Sequence, residues 1–379
     1  MGYDIRGHRW GLGVYLAALI TALNFLIDSQ HLSAADVKIS RLQAAAESGS
    51  VPGEVELAGD YLSGRGLPQD FTKAAYWYEM AAGKGDPEAQ NEIGVLYQAG
   101  IGVPVDPVRA FHWFQLSAAA GFIRAKVNLG VAYVWGNGVS KDGALAAQLF
   151  HEAANSGSGA AATYLGDLYY FGTGVVQDKL IAEHWFETGV KMRDPIAAFD
   201  LGLLFFDKGD HPRDFPKAAR LLRQAASAGY VPAMYSLGLL LTAHPELARS
   251  PDEVRISLET AASNGSWKSS VVLGILAREG NGVAQNPAAA YYHFQVAILQ
   301  GGEHAQHLLA NDLGELSKRL SAEQTQELTS NATTWFQQHH LSLAFVNKDG
   351  ENQKQFSAWG HAADDEGVHA EGLLPPPPA

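Results

Sequence analysis

Small, aromatic, apolar and capping positions recur along this chain with a period of 36 residues. Ala58, Gly94, Gly130, Gly166, Gly202, Gly238, Gly274 and Ala310 mark the beat, and the register never slips. Three positions later stand Tyr61, Tyr97, Tyr133, Tyr169 and Phe205, followed by glycine pairs such as Gly100 and Gly102 or Gly280 and Gly282. A polar column comes next (Asp70, Asp106, Asp142, Asp178, Asp214, Ser250, Asn286), then alanines, Trp or Leu, and a closing glycine as at Gly85 and Gly121. A fixed period of this length marks a stacked array of supersecondary units.

Each column predicts a piece of local structure. The small residue and the aromatic share one face of a first helix, where missing bulk admits the next helix and the aromatic fills the remaining space. Gly-x-Gly ends that helix, because glycine reaches positive φ at little steric cost. Asp, Ser or Asn then caps a second helix. Proline at the first helical position reinforces the start at Asp106-Pro107, Ser250-Pro251 and Asn286-Pro287, and Asp86-Pro87 and Asp194-Pro195 open first helices the same way. The predicted unit is helix, glycine turn, capped helix, glycine turn.

The stretch from Ala89 to Val103, continued through Asp106, Ala110, Trp113 and Gly121, resembles the Sel1-like repeats, relatives of the tetratricopeptide solenoids. The resemblance covers roughly residues 38–316 and implies an all-α, right-handed α-solenoid superhelix of stacked helix-turn-helix repeats. The expected division is an export signal or membrane anchor (1–35), an N-terminal half-repeat cap (36–52) and seven repeats (53–304). A half-repeat with a capping helix (305–346) and a disordered tail ending in proline (347–379) complete it. In the C-terminal cap, Ser321 to Gln324 reads as a capping box opening a helix to about His339.

Composition narrows function. The net charge of −13, from 27 basic and 40 acidic residues, argues against sequence-independent nucleic-acid binding. The absence of cysteine excludes disulfides, Cys-ligated zinc and thiol nucleophiles. Arg6 and Arg9 precede an uncharged run, Trp10 to Ile27, with a small-residue site at Ser33 to Ala35. This reads as an export signal, or as an anchor through residues 10–27 that leaves the repeats outside the cytoplasm.

No catalytic residue and no metal site is expected, and no cofactor. The 14 histidines show no His-Glu-x-x-His; His112 and His184 occupy one exposed column of second helices, and His304 with His307 lacks a third ligand. The Gly-x-Gly turns lack the lysine and the strand-to-helix setting of phosphate loops. Repeats five and six replace them with Lys208 and Asp210, and with His244 and Glu246, which reads either as a specialised turn or as drift in a tolerant loop.

In related solenoids the first helices line a concave groove that binds other proteins or peptides. By that resemblance the candidate binding residues are Glu92, Asn128, Trp135, Tyr164, Asp167, Phe171 and Asp200. Asn128, Tyr164, Asp167 and Asp200 are expected to offer hydrogen bonds. Trp135 and Phe171 either anchor a partner or pack between repeats. The expected function is a non-catalytic scaffold of the envelope or periplasm. The alternative is an envelope enzyme or carbohydrate-binding protein, whose sign would be a compact polar pocket holding several of Glu92, Asp167 and Asp200.

Overall fold

The 36-residue beat becomes pairs of antiparallel helices in the computed structural model, which describes residues 34–206, 212–280 and 285–354. The expected export segment up to residue 33, the turn residues Lys208 and Asp210, Gly282, and the tail from residue 355 lie outside the described residues. The chain divides into two units.

The first unit runs to Ala125 and takes in Asn137–Val139. It holds α1 (Ala34–Glu47), α2 (Val51–Ser63), α3 (Phe71–Gly83), α4 (Pro87–Ala99) and α5 (Pro107–Ala119), each packed on the next. The second unit holds the rest of α6 (Ile123–Trp135) from Lys126 on, then α7 (Gly143–Asn155), α8 (Gly159–Phe171), α9 (Lys179–Lys191) and α10 (Pro195–Phe206). It continues through α11 (Phe215–Ser227), α12 (Val231–Ala243), a 3-10 turn at Pro245–Leu247, α13 (Glu253–Ser263) and α14 (Trp267–Glu279). The last helices are α15 (Pro287–Ser317), broken at Gly302 where φ is 60°, and α16 (Ala322–Lys354). Among the described residues there is no strand. Within the second unit the first helices α8, α10, α12 and α14 touch their successors directly, so they form one continuous layer.

The turns are built as their chemistry demands. Gly64, Gly100, Gly172 and Gly280 cap their helices in the left-handed region, with φ between 69° and 74°. The carboxylates of Asp70, Asp106, Asp142 and Asp214 each accept the backbone N–H three residues on, at 2.8–3.0 Å. The backbone N–H of the same aspartates donates back to the carbonyl of Tyr61, Tyr97, Tyr133 and Phe205, at 2.9–3.1 Å. A single aspartate therefore starts one helix and closes the turn from the other. Ser321 and Gln324 make both bonds of the capping box, at 2.8 and 3.1 Å.

Three expectations need correction. First, the space beside the small residue is not filled by the aromatic three positions later. A Cβ at Gly130 would lie 2.5 Å from the Phe150 ring, at Gly166 2.5 Å from Phe186, and at Gly274 2.3 Å from Phe294. The filling group is thus a residue 20 positions on, in the paired second helix, and Phe150, Phe186 and Phe294 are fully buried. Second, Ser250 does not cap its helix. Pro245–Leu247 occupies the turn, so α13 starts at Glu253 behind Asp252, with no side-chain cap bond. Third, the final helix runs to Lys354, past residue 347 where the tail was expected to begin. No proline interrupts the sequence there before Pro375.

The second glycine of Gly-x-Gly does more than end a helix. A Cβ at Gly102 would lie 2.0 Å from the carbonyl oxygen of Phe71, and one at Gly138 2.1 Å from that of Pro107. At Gly174 it would meet the backbone of Gly143 at 2.2 Å. Each glycine lets its turn rest on the first turn of the preceding repeat's second helix, where any side chain would clash.

Candidate functional site

The candidate residues lie on first helices, but their surroundings differ. Trp135 and Phe171 are the last residues of α6 and α8, each just before a left-handed glycine, Gly136 or Gly172. Trp135 is 42% exposed and Phe171 50% exposed, so of the two readings the structure shows surface side chains. They stand at equivalent positions one repeat apart. Tyr170 packs edge-on against Phe171 at 5.0 Å between ring centroids, which holds the exposed ring in place.

Asn128 and Tyr164 are half-buried. The Tyr164 ring stacks on Phe150 from α7, with centroids 5.1 Å apart and planes at 16°. Burial raises the Tyr164 phenol above its ordinary range, and repulsion from Asp167 and Asp194 adds to this.

Asp167 and Asp200 are not open hydrogen-bonding groups. They are 5% and 3% exposed. Asp200 sits in α10 between Phe199 and Leu201, in a helix whose Ala197, Ala198, Leu204 and Phe205 are also buried. Such a uniformly apolar helix has no solvent face at this position, and that takes the carboxylate inside. Burial pushes the Asp200 carboxyl well above the usual carboxylate range, with Asp167 and Asp194 pushing the same way. Asp194 caps α10 through the N–H of Ile196 at 3.1 Å and accepts the Thr163 hydroxyl at 2.5 Å. Burial raises its carboxyl too, against the lowering effect of those two bonds.

Glu92 belongs to the first unit. It accepts a bond from Asn91 at 3.1 Å and lies 3.6 Å from Arg124. Burial raises its carboxyl despite both partners. The structure therefore brings Asp167 and Asp200 into electrostatic reach inside the second unit, while Glu92 has its own neighbours. Sequence reasoning missed Asp194 as a member of the acidic cluster. Asp194 was legible as a cap, but nothing in its column signalled burial.

Elsewhere the chemistry is structural. Among the described residues no group of three or more His, Asp or Glu is placed to hold a metal. His112 and His184 are exposed on α5 and α9. His244 replaces a turn glycine, and its ring packs 4.0 Å from Phe215 while Nδ1 lies 3.1 Å from Glu246. An open recess of about 510 Å³ lies between α15 and α16, lined by Tyr291, Thr325, Thr329 and Thr333 among others. Its Thr325, Thr329 and Thr333 hydroxyls donate to carbonyls of their own helix, so they do not converge on a ligand. No helix among the described residues is long and apolar enough to cross a membrane, and residues 10–27 fall outside them.

Comparison with known proteins agrees with this architecture. A Sel1 repeat protein from Oxalobacter formigenes superposes with a TM-score of 0.56 at 28% identity, over 64% of this chain and 98% of that one. DAP3-binding cell death enhancer 1 of Mus musculus is 39% identical over 95 residues, and its Rattus norvegicus counterpart 38% over 93. Those matches span 24% of this chain and only 18% of each relative's length. The Sel1 repeat profile matches residues 52–86, 87–122, 123–158, 159–192, 195–230 and 271–302. It passes over the pair α12 and α13, where the 3-10 turn replaces the glycines. With more than half its length so matched, the chain belongs to the Sel1 repeat family.

Proposed function

We propose that this protein is a non-catalytic scaffold of the cell envelope or periplasm that holds a partner protein or peptide on the first-helix layer of its second unit. Sel1 repeats generally serve as protein–protein interaction modules, which gives the class of activity. The observation that carries the assignment to this face is the exposure of Trp135 and Phe171 at matching positions of successive repeats. Large aromatic side chains of this kind are over-represented among residues that dominate binding energy. The envelope assignment rests on Arg6, Arg9 and the apolar run Trp10 to Ile27, which read as an export segment.

A photo-crosslinking amino acid placed at residue 135 or 171 in intact cells tests the face. The expected result is a discrete adduct from either position and none from Gln148, exposed on α7. Equal labelling from all three, or from none, would overturn the assignment. Sequencing the N-terminus of the mature protein tests export. A start near Asp36 supports cleavage, whereas cytoplasmic protein retaining Met1 contradicts export.

A further inference from the structure

The exposed apolar surface of the second unit continues past its two aromatics. On the turn from α8 to α9, Val176 is 87% and Leu180 72% exposed. Apolar side chains scattered singly over a surface call for no explanation, but here they gather. Gln177, next to Val176, donates its Nε2 to the Tyr170 carbonyl at 2.7 Å, and a Cβ at Gly172 would lie 3.1 Å from the Gln177 Cβ. The turn therefore folds back against the end of α8, which carries Phe171. It also rests on the start of α7: a Cβ at Gly174 would meet the Gly143 backbone at 2.2 Å, just past Lys141.

Each aromatic has a cation near it. The Lys179 Nζ stands 5.6 Å from the centre of the Tyr170 ring, which packs on Phe171, and Lys141 is exposed after Trp135 and before α7. Among the described residues neither ammonium has a carboxylate at ion-pairing distance. The adjoining carboxylates are engaged elsewhere. Asp142 accepts the N–H of Leu145 at 2.9 Å, and Asp178 accepts those of Leu180 and Ile181 at 2.9 and 3.0 Å. Each thus faces the positive end of a helix, which offsets its charge. In a chain of net charge −13, two unanswered ammonium groups border a row of exposed apolar side chains.

We propose that this edge docks an acidic, apolar segment of the partner protein. Its apolar side chains cover Trp135, Phe171, Val176 and Leu180, while its Asp or Glu carboxylates pair with Lys141 and Lys179. This rests on the docking assignment above and adds the partner's chemistry and two further contact residues. Charge complementarity selects the occupant. A second copy of the chain carries the same −13 and is repelled, and an anionic bilayer repels the chain in the same way. The apolar row supplies the buried centre of the interface, and the lysines at its rim steer encounter and fix register.

The test uses the photo-crosslinking amino acid at residue 171 in intact cells, in backgrounds that change only the edge. Lys141→Glu with Lys179→Glu is expected to cut the yield of the partner adduct about tenfold. Lys141→Arg with Lys179→Arg should leave the yield unchanged. Val176→Ser with Leu180→Ser should lower it, and because both side chains are exposed the melting temperature should hold. Digestion and mass spectrometry of the adduct should show Asp or Glu within a few residues of the attached position. Undiminished yield from the Glu variant overturns the proposal, as does an attached segment without Asp or Glu. An adduct to lipid or to a second copy of this chain overturns it too. No adduct in the otherwise unchanged chain fells the docking assignment and this proposal with it. An adduct whose yield ignores the Glu variant leaves the docking assignment standing and fells only the partner's chemistry.

Discussion

Substituting alanine for glycine at two positions of one column separates the packing account from simple helix propensity. Gly166 and Gly202 lie inside α8 and α10, and both would gain about 1 kcal/mol of intrinsic helix stability as alanine. Their partners differ. At Gly166 the new methyl would lie 2.5 and 2.6 Å from two atoms of the buried Phe186 ring, a rigid group with no room to retreat. At Gly202 it would lie 3.1 and 3.2 Å from atoms of Leu222, which a few tenths of an ångström relieves. Overpacking of the first kind costs about 1–3 kcal/mol. Because the propensity gain cancels between sites, that steric term is the expected difference between the variants. Gly202→Ala should be neutral or slightly stabilising and Gly166→Ala less stable by about 1–3 kcal/mol. Urea unfolding followed by helical circular dichroism, with midpoints compared at equal slope, reads this directly. Adding Phe186→Leu to Gly166→Ala should restore part of the loss. Equal midpoints for the two alanine variants would refute the claim that the small column exists to seat the paired ring.

Three further outcomes follow from local features. Arg193 stands at φ 64° in the turn position where Gly85, Gly121, Gly157, Gly229 and Gly265 stand, so Arg193→Gly should raise stability by about 0.5–1 kcal/mol, read as a higher melting temperature. The raised carboxyl of Asp200 means the folded chain keeps a proton that the unfolded chain loses above about pH 3.9. Its stabilising effect is complete below that pH and declines as pH rises, by at most about 1.4 kcal/mol per unit; Asp200→Asn should flatten this part of the stability–pH curve and stabilise the fold at pH 7. Arg223 donates to both oxygens of Glu253, at 2.5 and 3.0 Å, and to the Leu247 carbonyl at 2.7 Å, tying α11 to the divergent turn. Arg223→Ala should cost about 1–3 kcal/mol and increase proteolysis near residues 245–252.

The architecture was legible because periodicity survives without any knowledge of contacts. Asp106, Gly100 and Ser321 announce their roles through backbone requirements, which local sequence states directly. What a repeat packs against was harder to read. The column of Phe114, Phe150, Phe186 and Phe294 keeps the same 36-residue spacing, yet its pairing with Gly94, Gly130, Gly166 and Gly274 joins two helices and shows only in three dimensions. The same limit explains the candidate site. Trp135 and Asp200 fall in columns seven residues apart that one helical face would present alike. Trp135 nevertheless ends its helix at the surface, whereas Asp200 lies mid-helix among apolar neighbours. Helical spacing gives direction around one axis, while depth depends on the neighbouring repeats.

The central claim is that Trp135 and Phe171 are kept at the surface for a partner and not for the fold. The most direct measurement compares wild type with the Trp135→Ala, Phe171→Ala double variant, recording melting temperature and the yield of partner crosslinked in intact cells from one culture. Trp135 is 42% and Phe171 50% exposed, so the account predicts a loss of only about 1–3 kcal/mol, which leaves the fold intact, together with loss of the crosslinked partner. A double variant that keeps the partner at wild-type yield, or one that loses it only because the fold melts, would contradict the account.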